Sequence, residues 1–156
     1  MASWYNRKIM GHTYHQNYGH LVYHVRNVKM RPEDIAKIHH FITAMALQLG
    51  GTRIVVGGTN DHVHILCDFP FKWTIPQFVQ RLKTRTTIWV KEIDPCYRNF
   101  AWQTGFGYFS VSASLYAMEE AYILNQAAHH AHRSARDEFR AMLRKRGMTM
   151  YPDDEF

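Results

Sequence analysis

Three sets of residues in this chain have side chains and spacings suited to chemistry. The first is Asp61-His62-Val63-His64. On a strand, residues two apart project from one face at ~7 Å, close enough for two imidazoles to converge on one ion. The spacing alone says little, because 11 histidines in 156 residues give a His-x-His about once by chance. The chain holds another at His130-Ala131-His132, on a predicted helix end, where residues two apart point ~200° apart and cannot share a metal. Strand context therefore favours His62 and His64, against the plainer reading of two polar strand residues facing solvent.

The second set is Tyr122 and Gln126. Four residues apart on a helix, they occupy one face. If Gln126 gives its amide oxygen to an ion, the Tyr122 hydroxyl lies within reach of the same ion; the plainer reading is packing. His129-His130, one turn further, reads as capping or packing, with assistance to an ion or a phosphate as the alternative. The third set is Arg81, Lys83, Arg85, Lys91 and Arg98, interleaved with Trp73, Trp89, Tyr97, Trp102 and Phe106. Cations neutralise phosphates and rings stack on unpaired bases, which describes a single-strand reader. An ordinary solvated helix face beside an aromatic core would have the same composition.

The elements that must position these residues follow from periodicity. Residues 18–26 alternate, with Leu21, Tyr23 and Val25 on one side and His20, Val22 and His24 on the other, so they form a strand with one buried face. Pro32 opens a helix with Glu33 and Asp34 in its first turn, an apolar stripe at Ile35, Ile38, Ile42, Met45 and Leu49, and Gly50-Gly51 as its end. Residues 52–56 and 62–69 are strands around the turn Gly57 to Asp61. Thr74 and Gln77 form a capping box for a helix over 75–92. A strand at 108–113, a helix from Ser114 to about Ala131, and a helix from Ser134 to Gly147 complete the chain.

The predicted fold is α+β: a split βαβ, ferredoxin-like antiparallel sheet with two helices on one face, plus C-terminal helices carrying the tyrosine. The other sheet face is left for a ligand or a dimer partner. With no repeat or Pro/Gly/Ser-rich linker, residues 1–156 read as one domain.

Composition narrows the function. The formal charge is +6, the apolar fraction 46% and the charged fraction 21%, so the chain is globular and suited to a polyanionic partner. Cys67 and Cys96 have no ligand or redox spacing, which excludes a disulfide scaffold and a cysteine zinc site. Residues 1–20 lack the pattern of a signal peptide and no run is apolar enough to span a membrane, so a cytoplasmic protein with reduced thiols is expected.

The ordered set of Asp61-His-Val-His-Ile-Leu, a basic helix with Leu82-Lys83, Trp102-Gln103-x-Gly105, Tyr108-Phe-Ser-Val-Ser and Tyr122-Ile-x-x-Gln126-x-x-His129-His130 resembles the HUH single-tyrosine transposases of the "IS two hundred" insertion-sequence group. The resemblance spans roughly residues 18–150. It implies a metal-assisted nuclease and strand transferase that nicks and rejoins single-stranded DNA through a 5′-phosphotyrosine. In that reading Tyr122 is the nucleophile, and His62, His64 and Gln126 hold a divalent ion, with Mg or Mn expected. Asp61 orients His62, and Arg81, Lys83, Arg85 and Arg98 meet DNA. The implied partners are single-stranded DNA with hairpin ends and a second subunit. In this family the tyrosine helix of one subunit can serve the histidine pair of the other, and the sequence leaves cis or trans placement of Tyr122 open.

The His- and Tyr-rich start of the chain (His12, Tyr14, His15, Tyr18, His20, His24) has no counterpart in this pattern. Two other functions stand beside the transposase. One is a non-catalytic nucleic-acid module on the same fold, disfavoured because the sheet centre carries histidines where such modules carry aromatics. The other is a small zinc hydrolase, short of carboxylate bases beyond Asp61 and Asp68.

Overall fold

The computed structural model describes residues 13–154, with the His129 side chain excepted; His12 and most of the stretch read for a leader lie outside the described residues. The elements are β1 (Tyr18–His24), α1 (Pro32–Gln48), β2 (Thr52–Gly58), β3 (His62–Asp68), α2 (Ile75–Ile93), β4 (Gly107–Ser110), α3 (Tyr116–Leu124), α4 (Gln126–His130) and α5 (Ala135–Arg144). The sheet order is β2-β3-β1-β4 and every pair is antiparallel. That is the split βαβ arrangement, with α1 and α2 on one face.

Local chemistry sets the helix starts as expected. Thr74 Oγ1 accepts from Gln77 N and the Gln77 side chain accepts from Thr74 N, closing the capping box. Ser134 Oγ accepts from Asp137 N at the head of α5. Asp34 lies in the first turn of α1, as expected. It is fully buried, held by Arg31 Nε at 2.7 Å, Lys37 Nζ at 2.6 Å and Tyr97 Oη at 2.7 Å.

Leu21, Tyr23, Val63 and Ile65 point from the sheet into the layer formed with Ile38, Ile42, Phe78 and Leu82. Each such side chain contributes ~1.5–3 kcal/mol of burial. The expectation of one buried face on β1 is corrected: every residue of β1 is buried. The second face is not open to a dimer partner but covered by the chain's own C-terminal helices. Val22 and Phe109 pack on Phe139, Met142 and Leu143 of α5, and Tyr18 and Leu66 on Tyr116 and Ile123 of α3.

The helix expected from Ser114 to Ala131 is broken. A 3-10 turn over Ala113–Leu115 precedes α3, and Asn125, at φ −101° and ψ 24°, leaves the helical region before α4 begins. Two glycines let the covering helices approach. A Cβ on Gly57 of β2 would lie 2.2 Å from the Ile123 carbonyl oxygen, and one on Gly107 of β4 would lie 2.5 Å from the Phe139 ring.

Candidate active site

Strand alternation and register bring four imidazoles to the face under α3–α5. His62 and His64 of β3 have ring centroids 5.0 Å apart. The β1–β3 register sets His24 opposite His62 and Val22 opposite His64, and the His24 and His62 rings stack at 5.5 Å. His20 lies two residues along the same face, its Nε2 2.8 Å from His64 Nδ1.

Each paired histidine is gripped at Nδ1. His62 Nδ1 lies 2.8 Å from Asp61 Oδ1, and that hydrogen bond holds the Asp61 carboxyl well below the usual carboxylate range. Asp61 is thus placed in hydrogen-bond contact with His62. Both Nε2 atoms are turned toward Glu138 of α5: His62 Nε2 is 3.7 Å from Oε2 and His64 Nε2 is 3.6 Å from Oε1. Burial is the main cause that pushes His64 well below its ordinary value, which favours the neutral ring.

Glu138 is the residue that sequence reasoning missed. Only 5% exposed, it accepts hydrogen bonds from the Tyr122 hydroxyl and from Gln126 Nε2 at 3.1 Å, and it pairs with His130 Nε2. Burial pushes its carboxyl up to about 7, against the opposing pull of His62. Tyr122 is half-buried, its ring 5.9 Å from that of His64 and 6.2 Å from that of His20. The tyrosine, the histidine pair and Gln126 thus meet within one chain. His130, read as capping or packing, joins them, its ring 4.5 Å from His62.

The donor set fits a divalent cation. His62, His64 and Glu138 each offer a ligand atom, all within 4.8 Å of one another. Gln126 Oε1 lies 3.3 Å from His62 Nε2. With Asp61 accepting a hydrogen bond from Nδ1–H, a singly protonated His62 would turn its Nε2 lone pair toward that amide oxygen. Two acceptors face each other there, and a proton or a cation between them relieves the opposition. Buried His64 Nε2 has no hydrogen-bond partner among the described residues. Nitrogen and oxygen donors of this kind suit Mn and Zn, and Mg through the oxygens.

The basic set is not gathered here. Helix α2 buries Phe78, Val79 and Leu82 in the layer on the opposite sheet face, so its outer side points away from the histidines. Arg81 stacks on Trp73 at 4.1 Å, Arg85 donates to Gln48, and Arg98 is exposed after a 3-10 turn. Lys83 is half-buried, donating to the carbonyls of Gln103, at 2.7 Å, and Gly105; burial pushes it down to about 8.

The family described as "Transposase IS200 like" matches residues 13–126, most of the chain. The chain belongs to the IS200-like transposases. No curated protein matches it. Among solved structures, this transposase is similar to a protein of Deinococcus radiodurans R1 described as a transposase, with TM-score 0.56 and 22% identity over 75% of this chain and 96% of that one. It is also similar to a REP-associated tyrosine transposase bound to a REP hairpin, with TM-score 0.55 and 15% identity over 78% and 73% of the respective chains. Both likenesses bear out the α+β sheet and its C-terminal helices. The family match ends at Gln126, so the Glu138 carboxylate of this transposase lies beyond it. No helix among the described residues is long and apolar enough to cross a membrane.

Proposed function

We propose that this transposase cuts and rejoins single-stranded DNA through a covalent bond between Tyr122 and a 5′ phosphate. The observation that carries the proposal is the Tyr122 hydroxyl hydrogen-bonded to Glu138, beside two imidazole nitrogens that converge on the same carboxylate. A phenol with an ordinary pKa near ~10 is a poor nucleophile at neutral pH and needs an acceptor for its proton. Glu138 is that acceptor. The Tyr122 oxygen bonds to phosphorus, the bond from phosphorus to the 3′ oxygen breaks, and the phenolic proton passes to the carboxylate. A 3′ hydroxyl reverses these steps at a new junction, so the phosphodiester energy is retained and no nucleotide is consumed.

His62, His64 and Glu138 would hold a divalent ion, with Gln126 Oε1 as a further donor and Mg or Mn expected. Such an ion would withdraw charge from the scissile phosphate and ease departure of the 3′ oxygen. Asp61 keeps His62 oriented throughout. The meeting of Tyr122 and the histidines in one chain supports a tyrosine supplied in cis, with no second subunit needed to complete the site.

Family membership, the +6 charge and the hairpin held by the similar REP-associated transposase support hairpin-forming single strands as substrates. A cavity of about 740 Å³ opens beside His24, flanked by Phe106, Tyr108 and Tyr151, and rings of this kind suit unpaired bases. The test is incubation of the protein with single-stranded hairpin ends and Mn, followed by a denaturing gel. A tyrosine-linked adduct is expected, lost in Tyr122→Phe while hairpin binding persists. Adduct formation by Tyr122→Phe would reassign the nucleophile.

A further inference from the structure

His20 occupies a position that strand packing alone would give to an apolar residue. In register it lies between Leu66 of β3 and Phe109 of β4, and its side chain is fully buried. An imidazole there is costly unless its nitrogens are bonded, and both are. Nε2 meets His64 Nδ1 at 2.8 Å, and Nδ1 meets Glu119 Oε2 of α3 at 2.8 Å. Glu119 is one-fifth exposed, and its other oxygen lies 4.0 Å from Arg146 Nη2.

The carboxylate at the end of this chain sets its direction. An ionised carboxylate only accepts, so the hydrogen between Glu119 and His20 belongs to His20 Nδ1. A singly protonated His20 then offers a lone pair at Nε2. His64 must donate from Nδ1, which leaves the His64 Nε2 lone pair facing the point shared with His62 Nε2 and Glu138. His62 reaches the same state in one step, through Asp61.

We infer that Glu119 and His20 form a positioning relay that fixes His64 in its Nδ1–H form and keeps its Nε2 bare for an ion. The relay rests on the proposed function only in assigning that ion to the site. Residues that orient a ligating histidine typically change metal affinity by ~10–100-fold when replaced.

Nitrogen NMR of the histidine side chains in the metal-free full chain reads the tautomer directly, and Mn titration reads the affinity. The expected wild-type state is His64 protonated at Nδ1 and bare at Nε2. Glu119→Gln keeps the shape but lets an amide donate to His20, which turns the chain around. A rise in Nε2-protonated His64 and Mn binding weaker by ~10–100-fold are expected. His20→Gln, whose amide oxygen can accept from His64 Nδ1, recovers most of that loss, whereas His20→Phe does not. Should the buried His20 variants fail to fold, the partly exposed Glu119→Gln carries the test. Wild-type His64 protonated at Nε2, or a Glu119→Gln protein with unchanged tautomer and Mn affinity, would overturn the relay. Relay tautomers in a protein that forms no DNA adduct would instead sink the transposition chemistry and leave the relay standing.

Discussion

The Tyr122 hydroxyl donates to Glu138, and the two residues come from separate helices, α3 and α5, with the α4 turn between them. Glu138→Gln keeps the volume and removes the charge. Adduct formation is expected to fall by at least ~100-fold, the lower range for loss of a general base. Mn affinity should fall further than in Gln126→Ala, since a carboxylate holds a divalent ion more firmly than an amide oxygen. Single-turnover cleavage on a gel, with Mn titration of the same samples, reads both. A Glu138→Gln protein that cleaves at the wild-type rate would remove Glu138 from the chemistry.

Gly57 lets the backbone of α3 rest directly on β2, so Gly57→Ala forces the two apart at Ile123, the residue after Tyr122. Overpacking of this kind costs ~1–3 kcal/mol. Thermal unfolding should show that loss, and adduct formation should slow because the phenol moves relative to the histidines. A variant with wild-type melting and wild-type cleavage would mean that α3 does not depend on this approach.

Lys83 spends its ammonium on the carbonyls of Gln103 and Gly105. Lys83→Met should therefore act on the loop rather than on phosphate. A loss of ~1.5–3 kcal/mol in stability is expected from the broken charged hydrogen bonds. The slope of log affinity against log salt should stay at the wild-type value. A fall of ~1 in that slope would restore Lys83 to the phosphate-contacting set.

Asp34 gives the fold an acid-side pH dependence. Burial raises its carboxyl, but hydrogen bonds from Arg31, Lys37 and Tyr97 outweigh burial, and the folded-state pKa lies well below the ordinary value. The unfolded chain thus takes up the proton first as pH falls. The stabilisation is present in full above the unfolded carboxylate range and is lost as pH drops below about 4. Melting temperatures of wild type and Asp34→Asn, compared from pH 7 to pH 3, should converge in acid. A gap that stays constant would assign the effect to packing.

Much of this architecture is legible from spacing. The alternation of β1 already separates His20 and His24 from Leu21 and Tyr23, and the caps at Thr74 and Ser134 lie where their side chains dictate. What spacing does not carry is register. Only the pairing of β1 with β3 reveals that His24 faces His62 and that His20 reaches His64. Glu138 carries no local signature, because one acidic residue on an amphipathic helix looks solvated until the helix docks. The break at Asn125 escaped for a related reason: Tyr122 and Gln126 keep helical spacing in sequence, while tertiary contacts decide where the helix yields.

Docking of α5 has a consequence for the order of events during synthesis. The chain carries its tyrosine, its histidine pair and its glutamine by residue 126, yet the buried carboxylate that ties them together arrives twelve residues later. Translation runs from the N-terminus, so the β-sheet and its imidazoles can form while that last helix is still inside the ribosome. A nascent or prematurely terminated product would carry the tyrosine, the histidine pair and the glutamine without that carboxylate, so under the proposed chemistry strand cutting would wait for the finished molecule.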